Sequence, residues 1–270
     1  MSRGKWIALS MAVILCASGT MAYLWATGTF DAPAPEPTII LGTEHSDTNM
    51  DEALRLIREA QAKFSKVKDY RCTYLRDEVI EGKMLNNHAI LSIRHAPFSV
   101  GMEWVGPASK KGRRTVWTEG RNGGKMTVKV LLKMDLDPQE SVKRKESRHT
   151  INEAGLKNLI DRYHRSWVKE QQLGLTQIII QDAQFTIKLP GKDYHLDCIC
   201  VTSVHPPDSQ KHFLFHIAKL YFDKKTGLPV RSENYDFPAP GQQYGPLVER
   251  YTYLDVQTNL GLTDEHFTIR

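Results

Sequence analysis

The chain lacks the short signatures that mark most catalytic sites. No Gly-x-Ser-x-Gly elbow, His-Glu-x-x-His helix or phosphate-cradling glycine loop occurs in its 270 residues. Local sequence therefore offers no nucleophile elbow, zincin centre or nucleotide pocket. Internal repeats are missing too, which removes repeat architectures. Cysteine is scarce, with four in all. Cys16 falls in an apolar N-terminal run, and the remaining Cys72, Cys198 and Cys200 include no second Cys pair to complete a metal or dithiol motif beside Cys198-x-Cys200. Nor is there a large excess of one charge: 36 Lys and Arg stand against 31 Asp and Glu, for a net +5. Without interleaved basic and aromatic residues there is no platform for nucleic acid, so none is expected as a partner.

One long apolar run is present, at the N-terminus. Arg3 and Lys5 precede an uncharged stretch from Trp6 to Phe30. As a helix its most apolar part, Trp6 to Ala26, spans about 30 Å, the thickness of a hydrocarbon core. Trp6 and Trp25 sit at its ends, where interfacial aromatics belong. This predicts residues 1–5 as a cytoplasmic N-terminus, 6–26 as a transmembrane signal anchor and 27–46 as a linker in which Pro33, Pro35 and Pro37 favour extended polyproline conformation. A cleaved signal peptide is the alternative, because Ala17-Ser18-Gly19 and Thr20-Met21-Ala22 offer small residues near a cleavage point. A lipoprotein signal fits less well, since bulky Leu15 precedes Cys16. Either way the rest of the chain is exported.

Residues 47–270 form one domain of roughly 220 residues. Thr48 or Asn49 caps a helix whose apolar positions Met50, Ala53, Leu54, Ile57, Phe64 and Val67 follow helical spacing. From Tyr70 the pattern turns to period two, with strands near 70–80, 89–94, 98–105, 115–119 and 125–132. Gly82, Pro97, Pro107 and Asn122-Gly123-Gly124 separate them. Thr150-x-x-Glu153 makes a capping box for a second helix. Its stripe of Ile151, Leu156, Leu159, Ile160, Tyr163 and Trp167 stops at Gly174. Strands then resume, including a meander in which Gly227 takes the positive φ of a bulged turn and Pro229 opens the return strand. The order predicts an α+β fold, an antiparallel sheet with helices over one face.

The turn Gly227-Leu228-Pro229, its flanking strands and the closing Asn259-x-Gly261-x-x-x-x-x-Phe267 passage resemble the end of the LolA-like superfamily of bacterial periplasmic lipoprotein carriers and sensors. With Tyr70-Arg71-Cys72, the stretch from His95 to Val100, Gly106-Pro107, and Cys198 and Cys200 ahead of His205-Pro206, the chain is similar to an uncharacterised bacterial domain-of-unknown-function branch of it. The resemblance implies a curved half-barrel whose concave face and covering helices enclose an apolar pocket for acyl chains. It implies neither catalysis nor a cofactor, and it places the domain on the periplasmic side of the inner membrane, or free in the periplasm if the anchor is cleaved. The expected function is binding of a lipid, a lipoprotein acyl chain or another apolar ligand. An envelope-stress sensor acting through a protein partner is the alternative. A hydrolase or thiol redox enzyme would need a nucleophile beside a base, or reactive paired thiols, that the sequence does not display.

Alternation places Phe98, Val100, Met102 and Trp104 on one face of their strand and Met126, Val128, Val130 and Leu132 on one face of another. With Ile160, Tyr163 and Trp167 of the helix they are the candidate pocket wall, ordinary core packing being the plainer role for each. Cys72 bridged to Cys198 or Cys200 would close a loop of about 125 residues; buried free thiols are the alternative. Lys110, Lys111, Arg113 and Arg114 would meet anionic lipid, as would Lys143, Arg144, Lys145 and Arg148, unless both clusters are simply solvated. His212 and His216 would stand about 13 Å apart on a strand, too far to share a metal. Glu78 and Glu81 are expected in solvent.

Overall fold

The computed structural model describes residues 47–269. The expected anchor at 6–26 and linker at 27–46 lie outside them. Among the described residues no helix is long and apolar enough to cross a membrane. Residues 47–187 and 193–269 make one compact unit.

Helix α1 (Asp47–Phe64) leads into six strands: β1 (Asp69–Ile80), β2 (Lys83–His95), β3 (Phe98–Gly106), β4 (Arg114–Thr118), β5 (Met126–Lys129) and β6 (Lys133–Leu136). The short α2 (Glu140–Lys143), a one-turn 3-10 helix at Ile151–Glu153 and the long α3 (Leu156–Leu173) follow. Five strands complete the chain: β7 (Gln177–Leu189), β8 (Lys192–Val204), β9 (Ile217–Asp223), β10 (Pro229–Tyr235) and β11 (Leu247–Thr258). All eleven form one open sheet in the order β6-β5-β4-β3-β2-β1-β11-β10-β9-β8-β7. The fold is thus two antiparallel meanders joined where β1 pairs with β11, Tyr74 opposite Tyr253.

Period two decides which face each strand residue joins. Tyr70, Cys72 and Tyr74 of β1, Leu91 and Ile93 of β2 and Val100 of β3 bury one face of the sheet. On it α1 lays Ala53, Leu54, Ile57 and Phe64, and α3 lays Leu156, Leu159, Ile160, Tyr163 and Trp167. The opposite face carries a smaller cluster around Cys198, Cys200, Tyr221 and Val230. All three described cysteines are free and buried. The Cys72 bridge is therefore not formed, because Cys72 belongs to the helix side and Cys198 and Cys200, alternating with Ile199 and Val201, point away from it.

Several boundaries differ from expectation. Helix α1 begins at Asp47, and the Asn49 side chain, instead of capping it, donates to the Ile178 carbonyl at 3.0 Å. The Thr150/Glu153 capping box forms, but it caps only the 3-10 turn. Ala154 is extended and Gly155 takes φ 107, so α3 starts at Leu156, whose N–H donates to the Tyr70 hydroxyl at 2.7 Å. The strand expected over 125–132 is two short strands, Lys129 pairing with Lys133 across a tight reversal. Val130 and Leu132 consequently stand in the turn, 58% and 77% exposed, not on the inward face.

The closing passage turns out to be a clamp on the start of β1. The Asp69 carboxylate accepts from the N–H groups of Leu260, Gly261 and Leu262 at 2.6, 3.2 and 3.3 Å. Asn259 donates its N–H to the Asp69 carbonyl at 2.7 Å and accepts from the Lys68 N–H at 2.8 Å. Phe267 is buried, with the Arg94 guanidinium 5.1 Å from its ring centre. Gly227 has the expected positive φ, 68°.

Candidate functional site

A cavity of about 60 Å³ lies between the β1, β3–β5 and β11 face and the segment leading into α3. Strand alternation brings Tyr74, Arg76 and Glu78 of β1 to it, with Met102 and Trp104 of β3, Thr115 of β4, Met126 of β5 and Tyr251 and Tyr253 of β11. The connection from Ser141 to Gly155 supplies Glu146, Ser147, His149, Ile151 and Glu153. Leu159 and Arg162 come from α3, and Lys110 and Arg113 from the loop between β3 and β4. The volume holds a few water molecules.

Tyr74, Met102, Trp104, Met126, Ile151, Leu159 and Tyr253 make the apolar part of the wall, and Tyr74 lies 5.0 Å from Tyr253 between ring centres. The rest is charged. Arg76 donates to the Ser147 hydroxyl at 2.9 Å and the Glu146 carbonyl at 3.2 Å, and its guanidinium lies 5.0 Å from the Trp104 ring centre. Lys110 donates to Asn87 at 2.9 Å with its ammonium 5.3 Å from the same ring. Burial lowers its pKa, and the neighbouring Arg76 cation adds to that. Arg113 pairs with Glu146 at 2.8 Å.

Glu78 was expected in solvent and is instead fully buried, as is Glu249 behind it. The Tyr251 hydroxyl donates to Glu78 at 2.7 Å and lies 3.2 Å from Glu249. Glu249 also accepts from His149 Nε2 at 2.9 Å, Arg148 Nε at 3.2 Å and Asn234 at 2.9 Å. Burial acts to raise the Glu249 pKa, but pairing with His149, helped by Asn234 and Arg162, outweighs it and holds the carboxyl at about 2. Glu81 is exposed and pairs with Lys145.

Ser147, His149 and Glu249 are the residue types of a hydrolase triad, but their connections differ. The Ser147 hydroxyl donates to the His149 main-chain carbonyl at 2.7 Å, while the imidazole faces Glu249. No nucleophile–base hydrogen bond links them. The thiols are poorly suited to redox work, because burial pushes Cys198 up to about 12 and Cys200 up to about 11 and raises Cys72 as well. Among the described residues no group of three or more His, Cys, Asp or Glu is placed to hold a metal ion.

Of the expected pocket residues, Met102, Trp104 and Met126 line the cavity. Val100, Val128, Ile160, Tyr163 and Trp167 are in the close-packed core away from it. Trp167 donates to Ser203 at 2.9 Å, and Tyr163 to the Lys219 carbonyl at 3.1 Å. Phe98 is half-buried against Trp117, and Val130 and Leu132 are on the outside. The basic loop does not present four cations together: Lys110 and Arg113 turn into the cavity, Arg114 is half-buried on β4 and Lys111 is exposed. In the second basic cluster, Lys143 and Arg144 pair with Glu140, Lys145 with Glu81 and Arg148 with Glu249. Arg76, Glu78 and His149 were missed. Alternation puts the first two on the same face as Tyr74 but does not by itself say that they are buried.

The family described as "Protein of unknown function (DUF1571)" matches residues 67–270. The chain belongs to this family. No curated protein matches it. Similar solved structures include lipoprotein LppX of Mycobacterium tuberculosis, 13% identical over 79% of this chain and 99% of that one, with a TM-score of 0.43. A LolA superfamily protein of Nitrosomonas europaea is 11% identical over 80% of this chain and 97% of that one, at 0.34. The Pseudomonas aeruginosa MucA/MucB complex is 10% identical over 81% of this chain and 61% of that one, at 0.40. At these scores none of them bears on what this family member binds.

Proposed function

We propose that the chain is an exported, membrane-tethered domain that binds a lipid, a lipoprotein acyl chain or another apolar ligand without transforming it. The observation that carries this reading is the cavity wall, where flexible Met102 and Met126 and the rings of Tyr74, Trp104 and Tyr253 meet beside a charged rim. Such a wall suits an adaptable apolar guest with a polar end. A cavity of about 60 Å³ admits a chain only when its cover moves. That cover is the connection from Ser141 to Gly155, built of the end of α2, turns and one 3-10 helical turn, and moving it breaks the contacts of Ser147 with Arg76 and of His149 with Glu249. The tether at 6–26 and the periplasmic location belong to the same proposal.

A second reading, a regulatory protein acting through an envelope protein partner, is favoured by the turn between β5 and β6. Leu131 there is 90% exposed beside Val130 and Leu132, and bulky apolar side chains clustered in solvent favour contact with another surface. Native mass spectrometry of the chain purified from its host, followed by organic extraction, decides between the two. A stoichiometric co-purifying lipid supports the first. Protein that carries none and also fails to take up fluorescent acyl probes sinks it and moves the weight to the second.

A further inference from the structure

Four of the residues lining the cavity carry a buried polar atom without a hydrogen-bond partner among the described residues. They are Nε of Arg76, Nε of Arg113, Nε1 of Trp104 and Oγ1 of Thr115. Arg76, Trp104 and Thr115 are each more than nine-tenths buried. An arginine Nε and an indole Nε1 only donate, and a threonine hydroxyl also donates, so the shared deficit is of acceptors. Arg76 Nε is 3.5 Å from Glu78, near enough for attraction but not hydrogen-bonded. Elsewhere Arg76 and Arg113 use their terminal nitrogens, so the unused Nε groups are not the by-product of arginines left unpaired. Lys110 adds a third cation, whose charge is disfavoured by burial and by nearness to Arg76, with Glu146 and Glu78 of the same wall offsetting only part of this.

We propose that this cavity takes the oxyanion head, a carboxylate or phosphate, of an amphiphile, with Trp104, Thr115, Arg76 and Arg113 donating to its oxygens. The proposal rests on the apolar-ligand reading and deepens it by giving the guest a charged end. The head lies among the donors, and the chain runs past Met102 and Met126. Oxyanion oxygens accept several hydrogen bonds at once, and charge-assisted bonds are stronger than neutral ones. A neutral hydroxyl head of the same chain length cannot satisfy the same set.

The test titrates the full chain with decanoate, decyl phosphate, decanol and inorganic phosphate by calorimetry, for wild type, Thr115→Val and Trp104→Phe. Thr115→Val keeps side-chain shape while removing one donor, Trp104→Phe removes the indole N–H together with part of the ring, and melting curves verify that they fold. Binding of the anionic probes about tenfold or more tighter than decanol is expected. Each variant should weaken anionic binding by about fivefold, and Thr115→Val should leave decanol unchanged. Decanol bound as tightly as decanoate would overturn the oxyanion assignment and leave the apolar reading standing. Variants that change no affinity would overturn it too, assigning the donors to fixed solvent. Inorganic phosphate bound while every ten-carbon probe fails would keep the oxyanion site and overturn the apolar reading beneath it.

Discussion

The joint between β1 and α3 can be tested quantitatively through Tyr70→Phe. The Tyr70 hydroxyl is fully buried and accepts the Leu156 N–H at 2.7 Å, and Leu156 is fully buried as well. Tyr70→Phe keeps the ring, held edge-on by Phe64 at 5.6 Å and by His95 at 6.2 Å, and leaves that N–H without an acceptor. An orphaned buried donor costs roughly 1–3 kcal/mol. Gly155→Ala attacks the same joint from the other side: φ is +107°, and an added Cβ would lie 2.7 Å from the Tyr70 hydroxyl and 3.3 Å from Ile93. A backbone region reserved for glycine plus the clash gives roughly 3 kcal/mol or more. The two effects should not add. Removing the hydroxyl relieves the worse contact, and both changes break one hydrogen bond, so the double variant should be more stable than the sum by about 1–2 kcal/mol. Urea unfolding followed by circular dichroism gives the cycle, and amide exchange at Leu156 reports the bond itself. A Tyr70→Phe cost below about 0.5 kcal/mol with unchanged exchange at Leu156, or full additivity, would refute the reasoning.

Asp69→Ala, which strips the acceptor from three N–H groups, should cost roughly 2–3 kcal/mol in the same urea assay, with Asp69→Asn falling between it and wild type. Because the Glu249 carboxyl is held at about 2, below its ordinary 4.5, it contributes stability that is complete above about pH 4.5 and is lost as pH falls toward 2. That is roughly 3 kcal/mol, and Glu249→Gln should flatten this part of the stability profile measured by urea unfolding between pH 5 and 2. Cys72, Cys198 and Cys200 should resist iodoacetamide at neutral pH in the folded chain and react together on unfolding, read as mass increments.

The elements most legible in the sequence are those whose pattern and punctuation agree. The stripe from Leu156 to Trp167 and the alternation of β1 and β3 name their inward faces directly, and Asp223 to Pro229 spells out its own turn. The reversal at Val130 to Leu132 was hidden because it contains no glycine, proline, asparagine or aspartate, so an apolar turn looked like the end of an inward strand. Glu78 was hidden for a different reason. Its partners Tyr251 and Arg148 lie 173 and 70 residues away, and only the β1–β11 register and the return of the 141–155 connection bring them beside it. A buried carboxylate cannot be told from a solvated one until such partners are placed. The cavity shares this character: its apolar members Met102 and Met126 follow from strand alternation, whereas its donors depend on how separate segments meet.

The central pairing of β1 with β11 also carries a consequence for how the chain reaches its final form. Tyr251 and Glu78, which meet across it, are separated by 173 residues, so the middle of the sheet is the last part able to close. While synthesis proceeds, the first meander has β1 as a bare edge, and the second has β10 as another until β11 arrives between them. Contacts of such long range make for slow folding, and two unsatisfied edges offer templates for pairing with other chains. A product interrupted before Leu247 would therefore be an aggregating species rather than a weakened one.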